Sequence, residues 1–206
     1  MITELTGMDI ANASLLDEAT SCAEAVSLAY AVHNGKRAKF YVSDTIFPQN
    51  LDVIQTRCYG NGVEVVVGPI NSFPWDQVQE YCGVIVQNPD KIGNMTNFTD
   101  FFARLKQNGV LSVLNSDVLA LCITKSAAEQ GADIAVGGVQ RFGLPMGFGG
   151  PHPSYFACKD EFKRKMPGRI IGISKDSDGN VALRMTLQVR EQHIRRTKAT
   201  SNICTA

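Results

Sequence analysis

The 206-residue sequence contains no C-x-x-C pair, no G-K-[ST], no G-x-S-x-G and only three histidines, His33, His152 and His193. Each absence excludes a class of chemistry. Zinc sites and thioredoxin-type centres need close pairs of ligands, because two thiolates must converge on one ion or one bond. Its six cysteines, Cys22, Cys58, Cys82, Cys122, Cys158 and Cys204, lie 24 to 46 residues apart and read as reduced, mostly buried thiols. Without G-K-[ST] there is no phosphate loop of the nucleotide-hydrolase kind. Without G-x-S-x-G there is no serine nucleophile elbow. Net charge is also missing: twenty basic residues balance twenty acidic ones. No general field draws nucleic acid or an acidic membrane. No run approaches the roughly 18–20 apolar residues of a membrane span. The opening MITELTGMDI lacks a basic segment followed by an apolar one and does not read as a secretory signal.

What is present is globular: 44% hydrophobic and 19% charged residues. Helical spacing of Leu15, Leu16, Ala19, Ala23, Val26, Ala29 and Tyr30 predicts a helix from Ser14, as N-cap, to His33, stopped by Asn34-Gly35. Strand-like runs then alternate with helical stretches. The strands are expected at Lys39–Val42, Val63–Val67, Gly83–Val86, Val110–Leu114 and Asp133–Val136. The helices are expected near Pro48–Cys58, Trp75–Tyr81, Asn97–Gln107 and Asp117–Leu121. The strands are short, β-branched and apolar on both sides, as in a sheet covered on both faces. The pattern implies an α/β fold, a mostly parallel sheet flanked by helices. Further strands are expected at Ser154–Ala157, Arg169–Ile173 and Val181–Thr186, the last two joined by a turn at Asp178-Gly179. Gln188–Arg196 reads as a helical or ordered basic segment.

Three places at the carboxyl ends of the strands could carry chemistry. Asp117 follows Val110–Leu114; its carboxylate either pairs with a protonated heterocyclic nitrogen or caps a helix. Arg141 follows the strand ending at Val136; it either binds an anion through its planar fork or ties down the next loop. The run from Gly143 to Pro153, with four glycines and three prolines, resembles a phosphate cradle in composition only. Close backbone packing is the better reading of it. The basic residues Arg190, Arg195, Arg196 and Lys198 suit a solvated face or an anion patch.

Longer runs are more specific. MITELTGMDIANASLLDEAT (1–20), GADI (131–134), QRFGLPMGFGGPH (140–152), KMPGRIIG (165–172), LQVREQHIRR (187–196) and KATSNICTA (198–206) resemble the glycine cleavage P-protein family, in its N-terminal, non-catalytic half. The resemblance implies the large domain of pyridoxal-phosphate (PLP)-dependent transferases, aminotransferase-like, of fold type I. It implies glycine decarboxylation, with aminomethyl transfer to the lipoyl group of H-protein. PLP serves there as an electron sink. In the family's catalytic half a His-Lys pair supplies the Schiff-base lysine; here that pair falls on Gln140-Arg141. An arginine stays protonated and forms no imine. The implied role is to shape the active site of a partner catalytic half that holds the PLP. Thr200, Ser201 and Asn202 fall where a turn meets the phosphate of the neighbour's cofactor. The alternative for Thr200 is a helix cap. Asp117, Arg141, His152, Arg190 and His193 are candidates for the interface or substrate channel.

Residues 1–206 are expected to form one truncated domain, with 174–206 as a hairpin and basic segment leading to a further part. The chain alone is expected to be inactive, and the assembled enzyme to be a homodimer or heterotetramer. A mitochondrial matrix location, that of a eukaryotic source, is the favoured expectation, with cytoplasm for a bacterial one. A non-enzymatic assembly module is the alternative reading.

Overall fold

The computed structural model describes residues 1–185 and Arg196. Four α-helices occur among them: α1 (Ile2–Thr6), α2 (Glu18–Val32), α3 (Pro48–Asn61) and α4 (Thr99–Gln107). Nine strands accompany them. They are β1 (Ile10–Ala11), β2 (Lys39–Ser43), β3 (Glu64–Gly68), β4 (Tyr81–Asn88), β5 (Leu111–Ser116), β6 (Ile134–Gly138), β7 (Ser154–Cys158), β8 (Ile171–Lys175) and β9 (Val181–Met185). Seven of them form one sheet in the order β1-β7-β6-β5-β4-β2-β3. From β3 to β6 the strands run parallel; β7 pairs antiparallel with β6, and β1 antiparallel with β7.

Both faces of the sheet are apolar because both are covered. Phe40, Val42, Ile85, Val113 and Ile134 face a core built with α2 and α3, including Val26 and Ile54. Tyr41, Val84, Val86, Leu114 and Ala135 face the other core, with Phe102 and Leu105 of α4. Successive residues of one strand therefore go to opposite cores, which explains the unbroken apolar runs.

The expected α/β class, the five parallel strands and the turn before β9 are present, with ends shifted by one or two residues. Several elements differ. Helix α2 starts at Glu18, not Ser14, and its N-cap is Asp17, whose Oδ1 accepts from Thr20 N at 2.7 Å. The preceding Leu15 bridges to Ser154, so a tertiary pairing holds that turn extended. Trp75–Glu80 is a 3₁₀ helix, and Tyr81 already begins β4. The expected helix Asp117–Leu121 is a turn followed by a 3₁₀ segment at Ala120–Cys122. In place of Arg169–Ile173 the strand is Ile171–Lys175, since Arg169 O accepts from Ala13 N. The glycine-rich loop is not closely packed. Nothing lies within 4 Å of a Cβ added at Gly147 or Gly149. Gly149 and Gly150 instead have φ of 85° and 78°, which glycine adopts without strain. Cys22, Cys58, Cys82 and Cys158 are buried free thiols, Cys122 is exposed, and Cys204 lies outside the described residues.

Candidate functional site

The sheet order reverses beside β2: the chain moves outward to β3, then returns to β4 on the other side. Crevices form at such a switch point, beyond the carboxyl ends of the strands. A cavity of about 860 Å³ lies there. It is lined by residues at or beyond the carboxyl ends of four parallel strands: Asn50 after β2, Gln87 in β4, Asn115 and Asp117 around the end of β5, and Gln140 and Arg141 after β6. Asp17 and Glu18 enter from the first turn of α2, and His152 from the glycine-rich loop.

The floor is a polar network on an apolar sheet. Glu18 Oε1 accepts from Asn50 Nδ2 at 2.7 Å and from Asn115 Nδ2 at 2.8 Å. Gln87 Oε1 accepts from Phe47 N at 3.0 Å, Asn115 Nδ2 at 3.1 Å and Asn50 Nδ2 at 3.4 Å. Gly138 leaves the room: a Cβ there would sit 3.3 Å from Glu18 Oε2. Asn50, Gln87 and Asn115 are buried, so these bonds offset desolvation rather than compete with water.

Of the two roles open to Asp117 in the sequence, the structure shows the local cap, with an ion pair to Arg141 beside it. Asp117 Oδ1 accepts from Leu119 N at 2.8 Å, a local cap, and its Oδ2 accepts from Arg141 Nε at 2.7 Å. Arg141 thus ties the segment after β6 to the one after β5. Its side chain is 58% exposed, so this pair adds little stability but fixes direction. Behind it, Tyr155 donates from its hydroxyl to Ser116 O at 2.9 Å. Burial, then the Glu18 carboxylate, pushes the Tyr155 phenol well above its ordinary pKa. Burial, then Glu18 and Asp17, does the same to the Cys22 thiol. Neither group is ionised at neutral pH, so neither is a ready nucleophile.

Covalently held PLP does not fit this lining. It needs an amine for the imine and hydrogen-bond donors for its phosphate. No lysine lines the cavity. The helix end that enters it carries the Asp17 and Glu18 carboxylates, and Asp17 already takes the Thr20 N–H. Asp117, a carboxylate suited to a pyridinium nitrogen, is engaged by Arg141.

The family model for the glycine cleavage system P-protein matches residues 1–206. The chain belongs to the glycine cleavage P-protein family. A glycine dehydrogenase (decarboxylating) of Shewanella sp. (strain ANA-3) is 53% identical over 204 residues, 98% of this chain and 21% of that protein. The chain thus spans about a fifth of the length of the curated relatives it matches. A crystal structure of glycine decarboxylase (P-protein) of the glycine cleavage system, in inhibitor-bound form, superposes with a TM-score of 0.89 at 40% identity. It covers all of this chain and 47% of that one. An O-acetylhomoserine (thiol)-lyase of Campylobacter jejuni, solved with a pyridoxyl-lysine monophosphate, has a TM-score of 0.60 at 12% identity. The match covers 78% of this chain and 39% of that one, and shows the fold alone. The P-protein fold here is that of the fold type I, PLP-dependent enzymes.

Asp117, Arg141 and His152, expected in an interface or channel, line the same cavity. Arg190, His193, Thr200, Ser201 and Asn202 lie outside the described residues. Glu18, Asn50, Gln87 and Asn115 were not singled out by the sequence. A signal existed for two of them: the apolar runs of β4 and β5 end in the polar pairs Gln87-Asn88 and Asn115-Ser116. Among the described residues no helix is long and apolar enough to cross a membrane.

Proposed function

We propose that the chain is part of a decarboxylating glycine dehydrogenase, and is the part without a Schiff-base lysine. The parent enzyme would decarboxylate glycine and pass the aminomethyl group to the lipoyl arm of H-protein. PLP would be held by a partner catalytic half, whose active site this chain completes. The observation that carries the reading is the Arg141–Asp117 pair at the sheet end, where an imine-forming amine would have to stand. An arginine there stays charged, and the aspartate it engages is not free to meet a pyridinium.

Within that reading, this chain's residues hold and orient rather than react. Asp117 and Arg141 fix the segments after β5 and β6, and His152 faces the same opening. Thr200, Ser201 and Asn202 are proposed as the turn that gives hydroxyl and N–H donors to the phosphate of the partner's cofactor. Arg190 and His193 are proposed for the same junction. Residues 1–206 are proposed as one domain, with 174–206 leading toward the partner, in a homodimer or heterotetramer. The relatives named above are bacterial, so the proposed compartment is the cytoplasm rather than the mitochondrial matrix.

The test is reconstitution. The chain, a lysine-bearing catalytic half, PLP and H-protein are combined, and glycine-dependent carbon dioxide release is measured. Activity requiring both halves is expected, and Thr200→Ala is expected to reduce it by weakening PLP retention. Binding of the halves without added activity would favour the assembly-module reading.

A further inference from the structure

Strands β8 and β9 form a two-stranded sheet of their own, apart from the seven-stranded one. Its patterning is inverted. An antiparallel sheet with one face on a core and one in water turns its apolar side chains inward. Here Ile171 lies opposite Met185, Ile173 opposite Leu183, and Lys175 opposite Val181. Side chains two apart along a strand, and those directly opposite across the pair, share a face. Ile171, Ile173, Val181, Leu183 and Met185 therefore make one apolar face, with Lys175 at its turn end. That face is the exposed one: Ile173 is 81% exposed, Val181 78% and Leu183 77%. On the other face the small residues Gly172, Ser174 and Ala182 are half-buried.

A lone two-stranded hairpin is marginal in water; a third strand or a packed layer on its apolar face is needed to hold it. A contiguous apolar patch rimmed by polar residues marks a contact with another protein surface. Lys175 and the turn from Asp176 to Asn180 form such a rim.

The comparisons point to the cover. Over half of the matched P-protein crystal chain, and about four fifths of the curated relatives, lie outside the segment that this chain matches. In the sequence, β9 is closely followed by Arg190 and His193, proposed above for the junction with the catalytic half, and then by Thr200. A face carried by β9 and contacts carried by the residues after it are continuous along one stretch of chain.

We propose that the exposed apolar face of β8 and β9 docks on an apolar surface of the lysine-bearing catalytic half. The hairpin is then an assembly element, which gains its third layer only in the complex. The inference rests on the reading of this chain as one half of a two-half enzyme.

The experiment uses the assembled enzyme, with a photoreactive benzophenone amino acid in place of Ile173. After irradiation the cross-linked peptides are sequenced, and a link to the catalytic half is expected. In parallel, Leu183→Asp alters an exposed position and is expected to leave the fold intact. It is expected to weaken association of the two halves at least about tenfold in sedimentation titrations. A link from position 173 to a second copy of this chain, or no link to any protein, overturns the proposal. So does association that Leu183→Asp leaves unchanged. Glycine decarboxylation is assayed separately. A link to the lysine-bearing half in an assembly without that activity counts against the dehydrogenase and leaves the docking face standing. An active enzyme whose position 173 stays unlinked does the reverse.

Discussion

Asp133 precedes β6, and its carboxylate is the clearest single tie between β5 and β6. Oδ2 accepts from Ser112 N at 3.0 Å and from Ser112 Oγ at 3.1 Å; Oδ1 meets Lys159. Ser112 Oγ in turn accepts from Asp133 N at 3.2 Å. The tie sits at the amino ends of the strands and sets the register Val113↔Ile134. The same strands deliver Asn115 and Gly138 to the cavity at their far ends. Asp133→Ala leaves the buried Ser112 N–H without its partner, which costs about 1–3 kcal/mol. It also leaves Lys159 unpaired while 26% exposed. The total is about 3–4 kcal/mol, near the range for breaking a buried pair from one side. For a chain of this size that lowers Tm by roughly 10 °C. Asp133→Asn keeps an acceptor for Ser112 and loses only the charge, at about 1.5 kcal/mol. Urea and thermal unfolding of the two variants measure the difference. Equal costs for Ala and Asn would refute the reasoning, because the bonds to Ser112 would then contribute nothing.

Gly137→Ala places a Cβ 2.1 Å from Ser116 O, and backbone cannot move aside cheaply; a loss of about 3 kcal/mol is expected in urea unfolding. Burial pushes the Cys58 thiol up to about 11 and the Cys82 thiol up to about 12. A raised pKa means the folded state holds its proton longer than the unfolded one. The stabilisation is thus full below the unfolded value near 9 and is lost as pH rises toward the folded values, at about 1.4 kcal/mol per unit per thiol. Urea midpoints from pH 8 to 11 check this, and Cys82→Ala is expected to flatten the decline. Arg104 lies 3.7 Å over the ring of Trp75, the single tryptophan. Arg104→Ala is expected to cost about 0.5–1 kcal/mol and to red-shift the intrinsic fluorescence.

The parallel strands were legible in the sequence because each is an apolar, β-branched run bounded by turn residues. The elements that were not legible are those fixed by partners far away. Two residues, Ile10 and Ala11, carry no periodicity; they are a strand only because Cys158 and Ala157 lie opposite. Ser14 reads as a cap, yet the Leu15–Ser154 bridge holds that turn extended and the N-cap is Asp17. The same holds for the site. Asp117 and Arg141 each stood out, but 24 residues separate them, and only the adjacency of β5 and β6 brings them to 2.7 Å. Glu18 was not singled out in the sequence. Its place in the cavity follows from Gly138, whose missing side chain no single sequence explains.

The most direct test of the central claim is to find where the cofactor is attached. The assembled enzyme, saturated with PLP, is reduced with borohydride and digested, and the pyridoxyl-bearing peptide is sequenced. The account predicts the label on a lysine of the partner half and on none of this chain's ten lysines. A label on any of the ten would contradict it.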